Sequence, residues 1–120
     1  MANEFKEAFE ALRAIMKKHE ARMVVVTDSP TEYYVNTPLI MKNKQPMFFG
    51  AVRIGKAYVS YHLMPVYCCR TLLDSMSPGL KARMQGKSCF NFKRPDAELF
   101  AELDVLTENG IAAFEKAGYF

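Results

Sequence analysis

Two runs of aromatic and β-branched residues, 47–53 and 57–63, stand on either side of Ile54-Gly55-Lys56, and this commits the middle of the chain to a β-hairpin. Period-two alternation puts Val59, Tyr61 and Leu63 on one face of the second run and Tyr58, Ser60 and His62 on the other. A hairpin that is apolar on one face needs a partner layer for that face. The amphipathic segments at the two ends of the chain can supply it.

Residues 3–19 carry Phe5, Ala8, Phe9, Leu12, Ile15 and Met16 at helical spacing, so a helix is expected there with one apolar stripe. Pro95 and Asp96 open a second helix whose stripe is Leu99, Leu103 and Leu106, with Phe100 at its margin. Asn109-Gly110 is a point where this helix could end or break before continuing to Gly118. Between the helices, residues 23–27 read as a buried β-branched strand that turns at Asp28-Ser29-Pro30 into a short antiparallel partner over 32–36. Residues 37–46, with two prolines, read as a loop holding at most a short strand at 39–41. Residues 66–76 can form a short helix. Leu80 and Met84 suit a further helical turn, and residues 88–92 a last strand.

The expected fold is therefore α+β: a twisted, mostly antiparallel sheet of five to six strands, N- and C-terminal helices on one face, and a short helical insertion. With 120 residues and half of them apolar, one domain with a single core is expected. The longest apolar runs are a few residues, far short of the ~20 needed to cross a bilayer, and no signal peptide is evident. Three cysteines, two of them vicinal, suit free thiols in a reducing compartment, and a cytoplasmic location is expected. A net charge of +3 is small for a nucleic-acid domain.

Five constellations carry possible chemistry. Tyr58, Ser60 and His62, with Asn91 if the strands pair and with Arg83 and Lys87 nearby, could line a concave site for a small polar or anionic ligand. The alternative is a half-exposed sheet face with ordinary cross-strand pairs. Asp96, Glu98, Glu102, Asp104 and Glu108 are the densest acidic set. Glu98 and Glu102, four apart, are the best candidates for a hard metal ion, and a solvated helix face explains them equally well. Cys89 and His62 could form a thiol–imidazole pair, which would also need a depressed thiol pKa and an oxyanion site. Cys68, Cys69, Cys89, His19 and His62 lack any zinc-site spacing, and buried inert thiols explain the cysteines. Arg70, Lys81, Arg83, Lys87, Lys93 and Arg94 make a basic region that reads as a charge-balanced surface around core phenylalanines.

The segments Tyr58-Val59-Ser60-Tyr61-His62-Leu63, Ser77-Pro78-Gly79-Leu80-Lys81, Gly86-Lys87-Ser88-Cys89-Phe90-Asn91-Phe92-Lys93 and the closing leucine-rich helix resemble the YdhG-like family of small bacterial proteins. The resemblance spans most of the chain after about residue 47. It implies a frataxin-like α+β sandwich, with no agreed catalytic motif and with iron as a proposed cargo for part of the family. The first helix departs from the acidic ridge of frataxin-type iron binding, because Lys6, Arg13, Lys17 and Lys18 are interspersed with Glu4, Glu7 and Glu10. A non-enzymatic binding protein is the expected function. A homodimeric interaction module with exposed Tyr and Met residues is the alternative, and a thiol-dependent enzyme a weaker one.

Overall fold

Residues 2–86 and 88–119 are described in a computed structural model of the chain. Helix α1 (Ala2–Lys17) and a 3-10 turn (Glu20–Arg22) lead into strands β1 (Val24–Asp28), β2 (Glu32–Ile40), β3 (Pro46–Ile54) and β4 (Val59–Leu63). The insertion follows as α2 (Met64–Cys68), a 3-10 segment (Arg70–Ser75) and α3 (Pro78–Lys81). It returns through β5 (Met84–Gln85) and β6 (Cys89–Phe92) to the long helix α4 (Ala97–Ala117). All pairings are antiparallel, in the order β1-β2-β3-β4-β6-β5.

Partners in an antiparallel register share a face, so the row Tyr33, Val52, Tyr61 and Phe90 runs across four strands on one side of the sheet. All four are completely buried. Both long helices cover this side. From α1, the stripe of Ala8, Phe9, Leu12, Ile15 and Met16 is buried, and each fully buried Leu or Phe contributes roughly 1.5–3 kcal/mol relative to exposure. From α4, Phe100 meets Phe92 edge-on at 4.9 Å and Phe114 meets Phe49 at 5.8 Å between ring centroids. Thr107 bonds the Tyr61 hydroxyl and also donates to the Leu103 carbonyl at 2.8 Å, so no hydroxyl in that contact is stranded in the core. Lys18 with Asp104, and Arg22 with Glu115 at 2.7 Å, tie the end of α1 and the turn after it to α4.

Several expectations change. Residues 23–27 were expected to be buried, but β1 is an edge strand and Val24, Val25 and Val26 are 49%, 40% and 55% exposed. A run of β-branched residues fits an edge strand as well as a central one. Residues 37–40 belong to β2, although a loop was expected. The pairing with β3 is irregular between Asn36 and Ile40, so Pro38 removes little from the ladder. The expected helix over 66–76 is split, α-helical to Cys68 and 3-10 over Arg70–Ser75. Met84 does not extend a helix with Leu80 but starts β5, and Phe100 is buried rather than marginal.

Helix α4 runs unbroken through Asn109-Gly110. A Cβ at Gly110 would lie 2.9 Å from the Pro65 Cβ, so the glycine serves the close approach of α2 rather than a break. The helix ends at Gly118, whose φ of +83° supplies a left-handed cap.

Candidate functional site

The side of the sheet opposite the helices is uncovered. Two register rows cross it: Glu32, Arg53, Ser60 and Asn91, then Tyr34, Ala51, His62 and Cys89. The hairpin and β6 are therefore direct neighbours, with Ser60 beside Asn91 and His62 beside Cys89.

A β-bulge adds a third aromatic group. Val35 faces Gly50 but Asn36 faces Phe48, so Phe49 is the extra residue on β3. The bulge turns Phe49 into the core and Phe48 onto the open face. There Phe48 lies 4.8 Å from Tyr34, tilted by 32°, and 4.9 Å from His62, edge-on. These rings, with Glu32, Ala51, Arg53, Ser60 and Cys89, line a concavity of about 450 Å³. Arg53 is exposed and makes no ion pair among the described residues.

The polar groups of this face are partly committed. Ser60 donates to Asn91 Oδ1 at 3.1 Å, and Asn91 passes the chain on to the Gln85 amide oxygen. Ser60 also lines the concavity, and a hydroxyl that donates one bond can still accept another. His62 Nε2 is 2.6 Å from the Ser88 hydroxyl. Burial holds His62 below its ordinary pKa, which favours the neutral ring, and the same cause pushes the Cys89 thiol up. A nucleophilic cysteine requires the reverse shift and a free imidazole. Cys89 and His62 share a face, but the ring nitrogen bonds Ser88 and the thiol stays protonated.

The proposed ligand residues divide between two concavities. Ser60 and His62 belong to the one just described, whereas Tyr58, Arg83 and Asn91 line a neighbouring hollow toward the β5 edge. Lys87 lies outside the described residues. Sequence reasoning missed Tyr34, Phe48, Arg53 and Ser88. Arg53 stands opposite Ser60 because the connection runs over residues 55–58. Folding the two runs symmetrically about Gly55 sets Ala57 there instead, so alternation alone did not place Arg53 on this face.

The acidic helix is otherwise employed. Glu102 accepts from the Ser77 amide at 2.7 Å and from the Ser77 hydroxyl at 2.6 Å, anchoring α3 to α4. Asp104 pairs with Lys18, and Asp96 caps α4 by accepting from the Leu99 amide at 3.1 Å. Glu98 is exposed on the same helix, and no group of three or more His, Cys, Asp or Glu side chains among the described residues is placed to hold a metal. All three cysteines are free thiols, with Cys68 exposed and Cys69 and Cys89 half-buried. The large apolar residues exposed among the described ones are Val24, Val25, Val26, Ile40, Tyr67 and Val105, while Met41, Met47, Met64 and Met84 are half-buried.

Both histidines set a pH dependence. Burial lowers the pKa of His62, and burial followed by the Lys18 charge lowers that of His19, whose Nε2 is buried without a partner among the described residues. With the folded values depressed, the unfolded chain takes up protons first as the pH falls below about 6.5. The histidines then subtract stability until the folded values are also passed. The urea midpoint is expected to be lower at about pH 5 than at about pH 7.5, and His62→Gln should reduce that fall. A midpoint constant across this range contradicts the shifts.

No family model matches the chain, and neither a curated protein nor a solved structure matches it. Among the described residues no helix is long and apolar enough to cross a membrane.

Proposed function

We propose that this chain is a non-enzymatic binding protein of the YdhG-like class that holds a small anionic ligand with a planar ring on the open face of its sheet. The observation that carries this reading is the meeting of the Tyr34, Phe48 and His62 rings in one concavity with the Arg53 guanidinium, which makes no ion pair among the described residues. Its volume of about 450 Å³ suits a small molecule. The rings offer stacking and edge contacts to a planar group, Arg53 offers a fork to a carboxylate, and Ser60 offers an acceptor. The free thiols support a reducing, cytoplasmic setting.

The test is calorimetric titration with a panel of aromatic carboxylates such as benzoate and indole carboxylate. Phe48→Ala and Arg53→Gln are each expected to weaken the best binder about tenfold, which corresponds to ~1.4 kcal/mol. Phe48 is half-buried and Arg53 exposed, so both variants should fold. Absence of heat across the panel, or equal affinity for wild type and both variants, rejects the reading.

A second reading has its own observation. The exposed valines of β1 lie on an unpaired strand edge, the geometry by which two copies join sheets about a two-fold axis. Light scattering should then give the mass of a dimer, and a monomer rejects it.

A further inference from the structure

A separate basic hollow lies where β6 leaves the sheet and α4 begins. It measures about 310 Å³ and is lined by Arg83, Lys93 and Arg94, with Phe92, Glu4 and Asp96. Arg83, Lys93 and Arg94 are all exposed, and none has a carboxylate oxygen within 4.0 Å among the described residues. The ion pairs at the other end of the fold engage Arg13, Lys17, Lys18 and Arg22 instead. Of the two carboxylates in the wall, Asp96 already serves as the cap of α4. Three cations around one hollow repel one another, and an anion seated among them turns that repulsion into attraction. The positive end of the 21-residue helix α4 adds to the same potential.

The hollow does not stop at the cations. Arg83 and Lys93 also line the neighbouring concavity of about 300 Å³, whose other polar side chains are Tyr58, Gln85 and Asn91. A cationic end joined through two shared residues to a wall of hydroxyl and amide groups matches a molecule with a charged head and a hydroxylated body.

We propose that the chain carries a phosphomonoester site at the β5–β6 end of the sheet, separate from the ring-lined face. Arg83, Lys93 and Arg94 hold the phosphate, whose three acceptor oxygens suit guanidinium forks. Tyr58 and Gln85 face the hydroxylated remainder. Ser60, His62 and Phe48 take no part.

Calorimetric titration of the full chain with glycerol phosphate and, separately, with inorganic phosphate tests this. Glycerol phosphate is expected to bind more tightly than inorganic phosphate, and both should weaken as sodium chloride is raised. Arg83→Gln and Lys93→Gln should each cost about tenfold for both ligands, whereas Tyr58→Phe should weaken glycerol phosphate alone. Phe48→Ala should leave both titrations unchanged, so failure here is distinguishable from failure of the ring-lined site. Circular dichroism verifies the fold of each variant, and Arg94→Gln gives a second reading of the phosphate contact should either of the first two fail to fold. No heat with either ligand at millimolar concentration, or affinity indifferent to the cation substitutions, overturns the site. Equal affinity for the two ligands overturns its extension toward Tyr58.

Discussion

Phe114→Ala is expected to lower stability by about 3–5 kcal/mol, the range for emptying a buried aromatic position. The ring is completely buried and stands between the sheet and the end of the chain after α4. On one side it meets Phe49, the residue that the β3 bulge turns inward, at 5.8 Å and 84°. On the other it meets Tyr119 at 5.0 Å and 87°, while the Tyr119 amide donates to the Phe114 carbonyl at 2.9 Å around the glycine cap. Truncation leaves a void under the bulge that the sheet cannot close without moving β3. Urea unfolding should show the loss, with the thermal midpoint falling on the order of 15 °C. Val105→Ala, on the same helix but 58% exposed, should stay within about 0.5 kcal/mol of wild type. A Phe114→Ala loss below about 1 kcal/mol would contradict the packing.

Gly50→Ala is expected to destabilise by about 1–3 kcal/mol, the range for overpacking. A Cβ there would stand 2.5 Å from the Met16 Cε and 2.8 Å from the His62 carbonyl oxygen. The methionine can swing aside, but the carbonyl belongs to the β3–β4 ladder and cannot. Shortening Met16 as well should therefore not restore stability. The sign is the informative part. Replacing a glycine by alanine where space allows gains about 0.4–1 kcal/mol by restricting the unfolded chain, so a stabilised variant would show that the His62 carbonyl does not crowd this position.

The fold was legible where periodicity and turn chemistry agree. The α1 stripe from Phe5 to Met16 and the hairpin about Gly55 specify which faces are apolar, and two helices on one side of an antiparallel sheet follow. Adjacency of β4 and β6, hence Ser60 beside Asn91, was accessible from the same alternation once the two segments were paired. The bulge was not. Strict alternation groups Phe48 with Gly50 and Val52, and only the extra residue at Phe49 moves Phe48 to the face where Tyr34 and His62 wait. The exposure of Val24, Val25 and Val26 was hidden too, since nothing local distinguishes a strand with one neighbour from a strand with two. The fate of Glu102 depends on Ser77, 25 positions away, and helical spacing alone left it looking like a free carboxylate.

The proposed ligand, with a ring and an acid group, binds the open sheet face where the extra residue Phe49 turns Phe48 toward Tyr34 and His62. The most direct measurement is a set of intermolecular nuclear Overhauser contacts from the ring protons of bound indole carboxylate to the labelled protein. Contacts to the rings of Tyr34, Phe48 and His62 are expected together. Contacts confined to the α1–α4 side of the sheet, or saturated binding with none to these three rings, would contradict it.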